Sequence, residues 1–121
     1  MRLSAVLALT EAKPISPDLV DPNLEVCSGA AADLMSDCLR YDLNCALLVS
    51  GLANPQVVRT AEMADVSAIL MVRGKAVPRE TLELAREVGI PILCTGLTMF
   101  EVCGRLYAAG LPACKLRNGR D

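Results

Sequence analysis

The chain has 121 residues, 53% hydrophobic and 2% aromatic, with a formal net charge of −2. That length and apolar content suit a single domain, residues 1–121, whose core is aliphatic. The charge gives no basic face for nucleic acid or an anionic membrane, the two Tyr and one Phe give no stacking platform, and no apolar run reaches the roughly 20 residues of a membrane span.

The first ten residues are mostly apolar, with Arg2 as the one charge, and are followed by no small-residue cleavage site, so they do not read as a signal peptide and the expected location is cytoplasmic. They open as a short helix or strand, which Pro14 and Pro17 break by removing donors and blocking helix. The domain core is expected over about residues 20–111. Alternation at Leu24 and Val26 predicts a strand ending at Ser28, then a tight small-residue passage over 29–32. Asp33 fits the N-cap of a helix over 34–40, with Asp37 near its positive end.

From Cys45 onward the chain repeats one pattern three times. The apolar runs 45–49, 68–72 and 90–94 each end in a polar residue and a glycine: Ser50-Gly51, Arg73-Gly74 and Thr95-Gly96. A segment with helical periodicity follows each. Asn54-Pro55 gives the first helix a cap and a first-turn proline, and Val57, Val58, Ala61 and Ala64 line its apolar face. Pro78 opens the second, which buries Leu82, Leu84, Ala85 and Val88 and stops at Gly89. The third has capping-box spacing from Thr98 to Glu101, and Val102, Leu106 and Ala109 continue its face to Gly110. Residues 112–121 read as a polar, basic tail that frays. A strand, a loop and a short helix in about 22 residues, with strands apolar at nearly every position, predict an α/β fold: a parallel sheet of about four strands with crossover helices.

Ligands of such sheets sit beyond the carboxyl ends of the strands, where glycine admits a close backbone approach and helix starts present N–H groups. The repeat puts four loops at that edge, with candidate ligand-binding residues Ser28, Gly29, Asp33, Ser50, Gly51, Asn54, Arg73, Gly74, Thr95, Gly96 and Thr98, and with Lys75 beside them. Hydroxyls, glycines and cations suit a phosphate or another small anion; capping and turning account for the same residue types without a ligand. No loop has the spacing of a phosphate-binding glycine motif. No histidine is present, so neither a Ser nor a Cys triad of the usual kind is available, and no catalytic residue is assigned. Cys27, Cys38, Cys45, Cys94, Cys103 and Cys114 form no Cys-x-x-Cys pair; they read as buried structural thiols in a reducing interior, with no metal and no cofactor.

The stretch Ser28-Gly-Ala-Ala-Ala-Asp33-Leu-Met-Ser36-Asp37 resembles the small-residue turn and helix of the DRTGG domain family. The stretch Ile90-Pro-Ile-Leu-Cys-Thr95-Gly-Leu-Thr98-Met-Phe-Glu101 is similar to that family's last β-α unit. The resemblance covers roughly residues 20–111; Glu25-Val-Cys-Ser-Gly29 stands where the naming motif falls and matches it at Gly29 and loosely at Ser28. It implies a fold like the N-terminal domains of HPr kinase/phosphorylase and of Mur ligases, in a short stand-alone form. The implied role is a non-catalytic regulatory and dimer-forming module, a homodimer with a nucleotide or small-anion ligand or a protein partner. Two alternatives stand beside it: an accessory protein of a hydrogenase-type redox system that uses its cysteines, and a small enzyme acting on a phosphorylated metabolite. For self-association the last helix is the candidate, because Phe100, Val102, Cys103, Leu106 and Tyr107 spread beyond one narrow stripe.

Overall fold

The computed structural model describes residues 1–15 and 17–117. The elements in chain order are α1 (Leu3–Thr10), β1 (Lys13–Pro14), a 3-10 turn (Pro17–Leu19), β2 (Ser28–Ala31), α2 (Met35–Cys38), β3 (Ala46–Ser50), α3 (Pro55–Met63), β4 (Ala68–Met71), α4 (Arg79–Val88), β5 (Ile92–Cys94) and α5 (Met99–Ala108). They form one five-stranded sheet in the order β1-β5-β4-β3-β2. The four strands from β2 to β5 are parallel, and β1 pairs antiparallel with β5. The fold is therefore α/β, and the expected four parallel strands carry an additional antiparallel edge. Pro14 is tolerated there because an edge position leaves its missing N–H without a ladder partner to lose.

The two faces of the sheet are covered by different helices. Ala46, Leu48, Ile69, Met71 and Ile92 pack with Met35 of α2, Val57, Val58 and Ala61 of α3 and Ala85 of α4. Leu47, Val49, Ala68, Leu70 and Leu93 pack with Leu3 and Val6 of α1 and Val102 and Leu106 of α5. Alternate residues of each inner strand thus enter alternate layers, which is why β3 and β4 are apolar throughout and fully buried. Thr81, the buried polar residue of α4, donates its hydroxyl to the Ala53 carbonyl at 2.8 Å and ties α4 to the loop before α3.

Several local expectations hold. The Asn54 side chain accepts from the Gln56 N–H with Pro55 as the first helical residue. Gly89 ends α4 at φ 78°, the left-handed region in which a side chain is strained. The expected capping box is half formed: Thr98 accepts from the Glu101 N–H at 3.3 Å, while the Glu101 carboxylate lies 3.5 Å from Arg105 instead.

Other expectations are corrected. The strand predicted to end at Ser28 begins there, and the supposed tight passage from Gly29 is β2 itself. Val26 is buried because its N–H bonds the Met1 carbonyl at 2.8 Å beside α1, not because it lies in the sheet. Met1–Thr10 contributes to the core: α1 buries Leu3 and Val6 completely, so the core reaches well before residue 20. Residues 112–117, read as fraying, are hydrogen-bonded. Gly29 donates to the Pro112 carbonyl and accepts from Cys114, and Tyr41 bridges Leu116. Residues 118–121 of that tail lie outside the described residues. Ala109 is exposed rather than core-facing. Cys27 and Cys45, read as free thiols, are joined by a disulfide with Cα atoms 5.4 Å apart at the amino ends of β2 and β3. The argument for a reducing compartment from six free thiols loses its basis with them. No described helix is long and apolar enough to cross a membrane.

Within α5 the structure separates core from surface. Leu106 is 3% exposed and Phe100 is 91% exposed. Leu106→Ala is expected to cost about 2–5 kcal/mol in denaturant unfolding, and Phe100→Ala to stay within about 0.5 kcal/mol of the parent protein. Equal effects would contradict this division of the helix.

Candidate functional site

The carboxyl edge of the sheet carries the loops 32–34, 51–54, 72–78 and 95–98. Their side chains fall into two groups. The first gathers around Asp33. One carboxylate oxygen accepts the Gly51 N–H at 2.7 Å and lies 3.5 Å from the Ser50 hydroxyl; the other accepts from the Arg73 guanidinium at 3.2 Å. Asp33 does not cap α2, whose N-cap is Leu34 with no side-chain bond; the helix is only one turn long. The aspartate instead fills the anion position at the end of β3. The Gly51 N–H and then Arg73 hold its carboxyl below the ordinary value, while burial opposes them and Lys75 adds a small further lowering.

Gly51 serves this cluster by its lack of a side chain. Its φ is unremarkable, but a Cβ there would overlap the Arg73 guanidinium, which lies over the Cα. Arg73 itself adopts φ 66° and Gly74 φ 64°, so the chain turns sharply on leaving β4.

The remaining hydroxyls are occupied by the fold. Ser50 is buried and accepts from the Leu52 N–H at 3.1 Å. Thr95 is buried, donates to the Thr10 carbonyl at 2.6 Å and accepts from the Leu97 N–H at 3.2 Å. Asn54 and Thr98 cap their helices. Ser28 and Gly29 do not join the group. They open β2, so they lie towards the other end of the sheet; Ser28 is 3.1 Å from the Cys114 sulfur, and Gly29 packs under Leu111.

The second group is a cleft of about 390 Å³ between the ends of β1, β4 and β5. It is lined by Glu11, Lys13, Ile15, Gly74, Lys75, Ala76, Val77, Cys94, Thr95 and Gly96. Gly74 and Gly96 lie side by side in its wall: a Cβ on Gly74 would stand 3.8 Å from the Gly96 Cα, and the Gly74 N–H bonds the Thr95 carbonyl at 2.9 Å. Sequence reasoning assigned Gly74, Thr95 and Gly96 to the edge but missed Lys13, Ile15, Val77 and Cys94. Only the pairing of β1 against β5 brings residues 13 and 94 together.

A further surface lies on α5. Phe100 and Tyr107 are 91% and 72% exposed, Gly104 stands between them with open space before it, and an apolar cleft of about 230 Å³ beside Tyr107 is floored by Gly29, Ala31 and Val49. The free thiols are poor nucleophiles: burial pushes Cys94 up to about 11 and raises Cys38, Cys103 and Cys114 as well. Among the described residues no three His, Cys, Asp or Glu side chains are grouped to hold a metal ion.

The chain has a DRTGG-like α/β fold. It is similar to the crystal structure of the CBS and DRTGG domains of the regulatory region of Clostridium perfringens pyrophosphatase, complexed with its activator diadenosine tetraphosphate. The TM-score is 0.65 at 16% sequence identity, over 97% of this chain and 51% of that chain. This chain therefore spans about half the length of that one. No family model matches the chain, and no curated protein does.

Two predictions test the Asp33 cluster. Gly51→Ala is expected to displace the Arg73 guanidinium, so Gly51→Ala and Arg73→Ala should each cost up to about 1 kcal/mol and the double variant no more than either alone. Additive losses in urea unfolding would contradict the contact. The lowered Asp33 carboxyl stabilises the fold fully above the ordinary unfolded value of about 3.9 and progressively less as pH falls through the depressed folded value. Asp33→Asn is thus expected to cost about 1 kcal/mol at pH 7, and the two stability curves should converge once pH has fallen below the depressed folded value. A gap that persists in acid would show that charge is not the cause.

Proposed function

We propose that the chain is a non-catalytic regulatory module that self-associates through α5 and responds to a small anionic ligand of the nucleotide class. One observation carries the reading: the fold is similar to a regulatory region that was solved with a nucleotide activator. The edge chemistry supports it, because a cleft lined by Lys13, Lys75 and two glycines lies beside Arg73, a cation that Asp33 already neutralises.

The α5 surface supports the homodimer. Phe100 stands four residues before Gly104 and Tyr107 three after, on the face that the core does not use. Two copies crossing antiparallel at Gly104 would set Phe100 of each beside Tyr107 of the other, an isologous contact closed by a twofold axis. Aromatic anchors around a glycine that permits close approach are the composition of an interface centre. Val102 and Leu106, also candidates for that surface, belong to the core.

The chain is expected to sediment as a dimer, and Phe100→Ser with Tyr107→Ser as a monomer with an unchanged circular dichroism spectrum. A monomeric parent protein at about 100 μM, well above the dissociation constants of specific interfaces, would remove the dimer. For the ligand, thermal unfolding against a nucleotide panel is expected to give at least one compound that, at about 100 times its dissociation constant, adds roughly 2.7 kcal/mol and raises the midpoint by several degrees. A panel without any shift would remove the sensing role.

A further inference from the structure

The strand order fixes where the carboxyl edge opens. From β2 to β5 each strand lies beside its predecessor, and α2, α3 and α4 all pack on one face. Neighbouring connections therefore leave in the same direction, and the edge stays closed between β2, β3 and β4. At β5 the direction changes. The connection after β4 runs to α4 on that first face, whereas the connection after β5 runs to α5 on the opposite face with α1. Adjacent parallel strands whose connections part to opposite faces make a crevice, and ligands of open α/β sheets bind at such a crevice. The loops after β4 and β5 are themselves joined, the Arg73 N–H to the Leu97 carbonyl and the Gly74 N–H to the Thr95 carbonyl at 2.9 Å each, and the Lys13–Lys75 cleft opens beside that junction, towards β1, with Gly74, Lys75, Thr95 and Gly96 in its lining.

Its chemistry differs from that of the Asp33 cluster. Asp33 already occupies the Gly51 N–H and Arg73, so an entering anion would meet a carboxylate in its place. In the crevice, Lys13 and Lys75 have no carboxylate within 4.0 Å among the described residues, and Glu11, the acidic residue lining it, is held by Arg105 at 2.9 Å. Ile15, Val77 and Cys94 give the cleft an apolar wall. An apolar wall with a few placed cations describes a small-molecule site, and about 390 Å³ lies near the small end of the usual range of about 300–1,000 Å³. That size suits one nucleoside and its phosphate, not two nucleosides joined by a phosphate chain.

We propose that this crevice is a mononucleotide site, with the phosphate held between Lys13 and Lys75 and the base laid against Ile15 and Val77. The proposal rests on the ligand-sensing reading above and assigns it to one place in the fold.

Calorimetric titration of the full chain with AMP, adenosine and inorganic phosphate tests it. AMP is expected to bind more tightly than either fragment, and Lys13→Glu with Lys75→Glu to weaken AMP by at least about ten-fold. The charge-matched control Arg40→Glu with Arg59→Glu should leave AMP affinity within about three-fold, with both double variants folded by circular dichroism. AMP binding that survives Lys13→Glu with Lys75→Glu but is lost in Arg73→Ala would overturn this site and leave the sensing reading intact at the Asp33 cluster. Phosphate binding as well as AMP would overturn the base contact. No AMP binding at all would overturn the proposal outright, and the wider nucleotide panel then decides separately whether the sensing reading falls with it.

Discussion

The burial of β3 and β4 on both faces is the constraint from which the rest of the architecture follows. Each inner strand sends alternate side chains into two separate cores, and both cores need a helical cover. Three crossovers of similar length place α2, α3 and α4 on one side only. The other side of the sheet must then be closed by α1, which precedes the repeats, and by α5, the helix of the last one. This explains why the N-terminal segment is structural, with Leu3 and Val6 completely buried. It also explains why the connection after β5 has to cross to the opposite face.

The same edge shows how an α/β protein can meet its own electrostatic demands. A peptide N–H aimed outward at the end of a buried strand needs an acceptor, and here a side chain from the preceding loop supplies it. The Asp33 carboxylate bonds the Gly51 N–H and anchors Arg73, so the ends of β2, β3 and β4 are joined through one charged group. The pair is about half exposed, and solvent screening keeps its contribution small. Its larger effect is to occupy the Gly51 N–H and the Arg73 guanidinium, which would otherwise face outward from the middle of the edge.

The repeat made most of this fold legible. Unbroken apolar runs followed by Gly51, Gly74 and Gly96 marked β3, β4 and β5, and Asn54, Gly89 and Thr98 marked helix ends that the structure keeps. Legibility failed where local chemistry had two uses. Asp33 before an apolar stretch reads as a cap, and only the position of Gly51 across the sheet turns it into a strand-end acceptor. Gly29-Ala30-Ala31 reads as a turn because small residues lack strand propensity; the strand exists there because Ala46–Ser50 offers a ladder on one side and Pro112–Cys114 on the other. Lys13 and Pro14 could not be placed, since a two-residue edge strand leaves no periodicity. The candidate site was therefore half readable: its glycines follow from the repeat, while its apolar wall depends on the antiparallel pairing of β1.

The crevice and the α5 surface are joined by a short stretch of chain. Gly96 lines the cleft, Thr98 caps α5, and Phe100 stands in the first turn of that helix. A group bound against Gly96 thus bears on the loop that aims the exposed aromatic face. Linkage requires that any effect of ligand on dimer affinity be matched by an equal effect of dimerisation on ligand affinity. Such coupling needs α5 to have two arrangements that both events bias. The helix is divided suitably for that: Val102 and Leu106 hold it on the core, while its amino end is fastened through the Thr98 cap and the buried Thr95 hydroxyl. A change at residues 95–98 would reach the exposed Phe100 before it reached Leu106, so the outer face of α5 would respond while the core stayed packed.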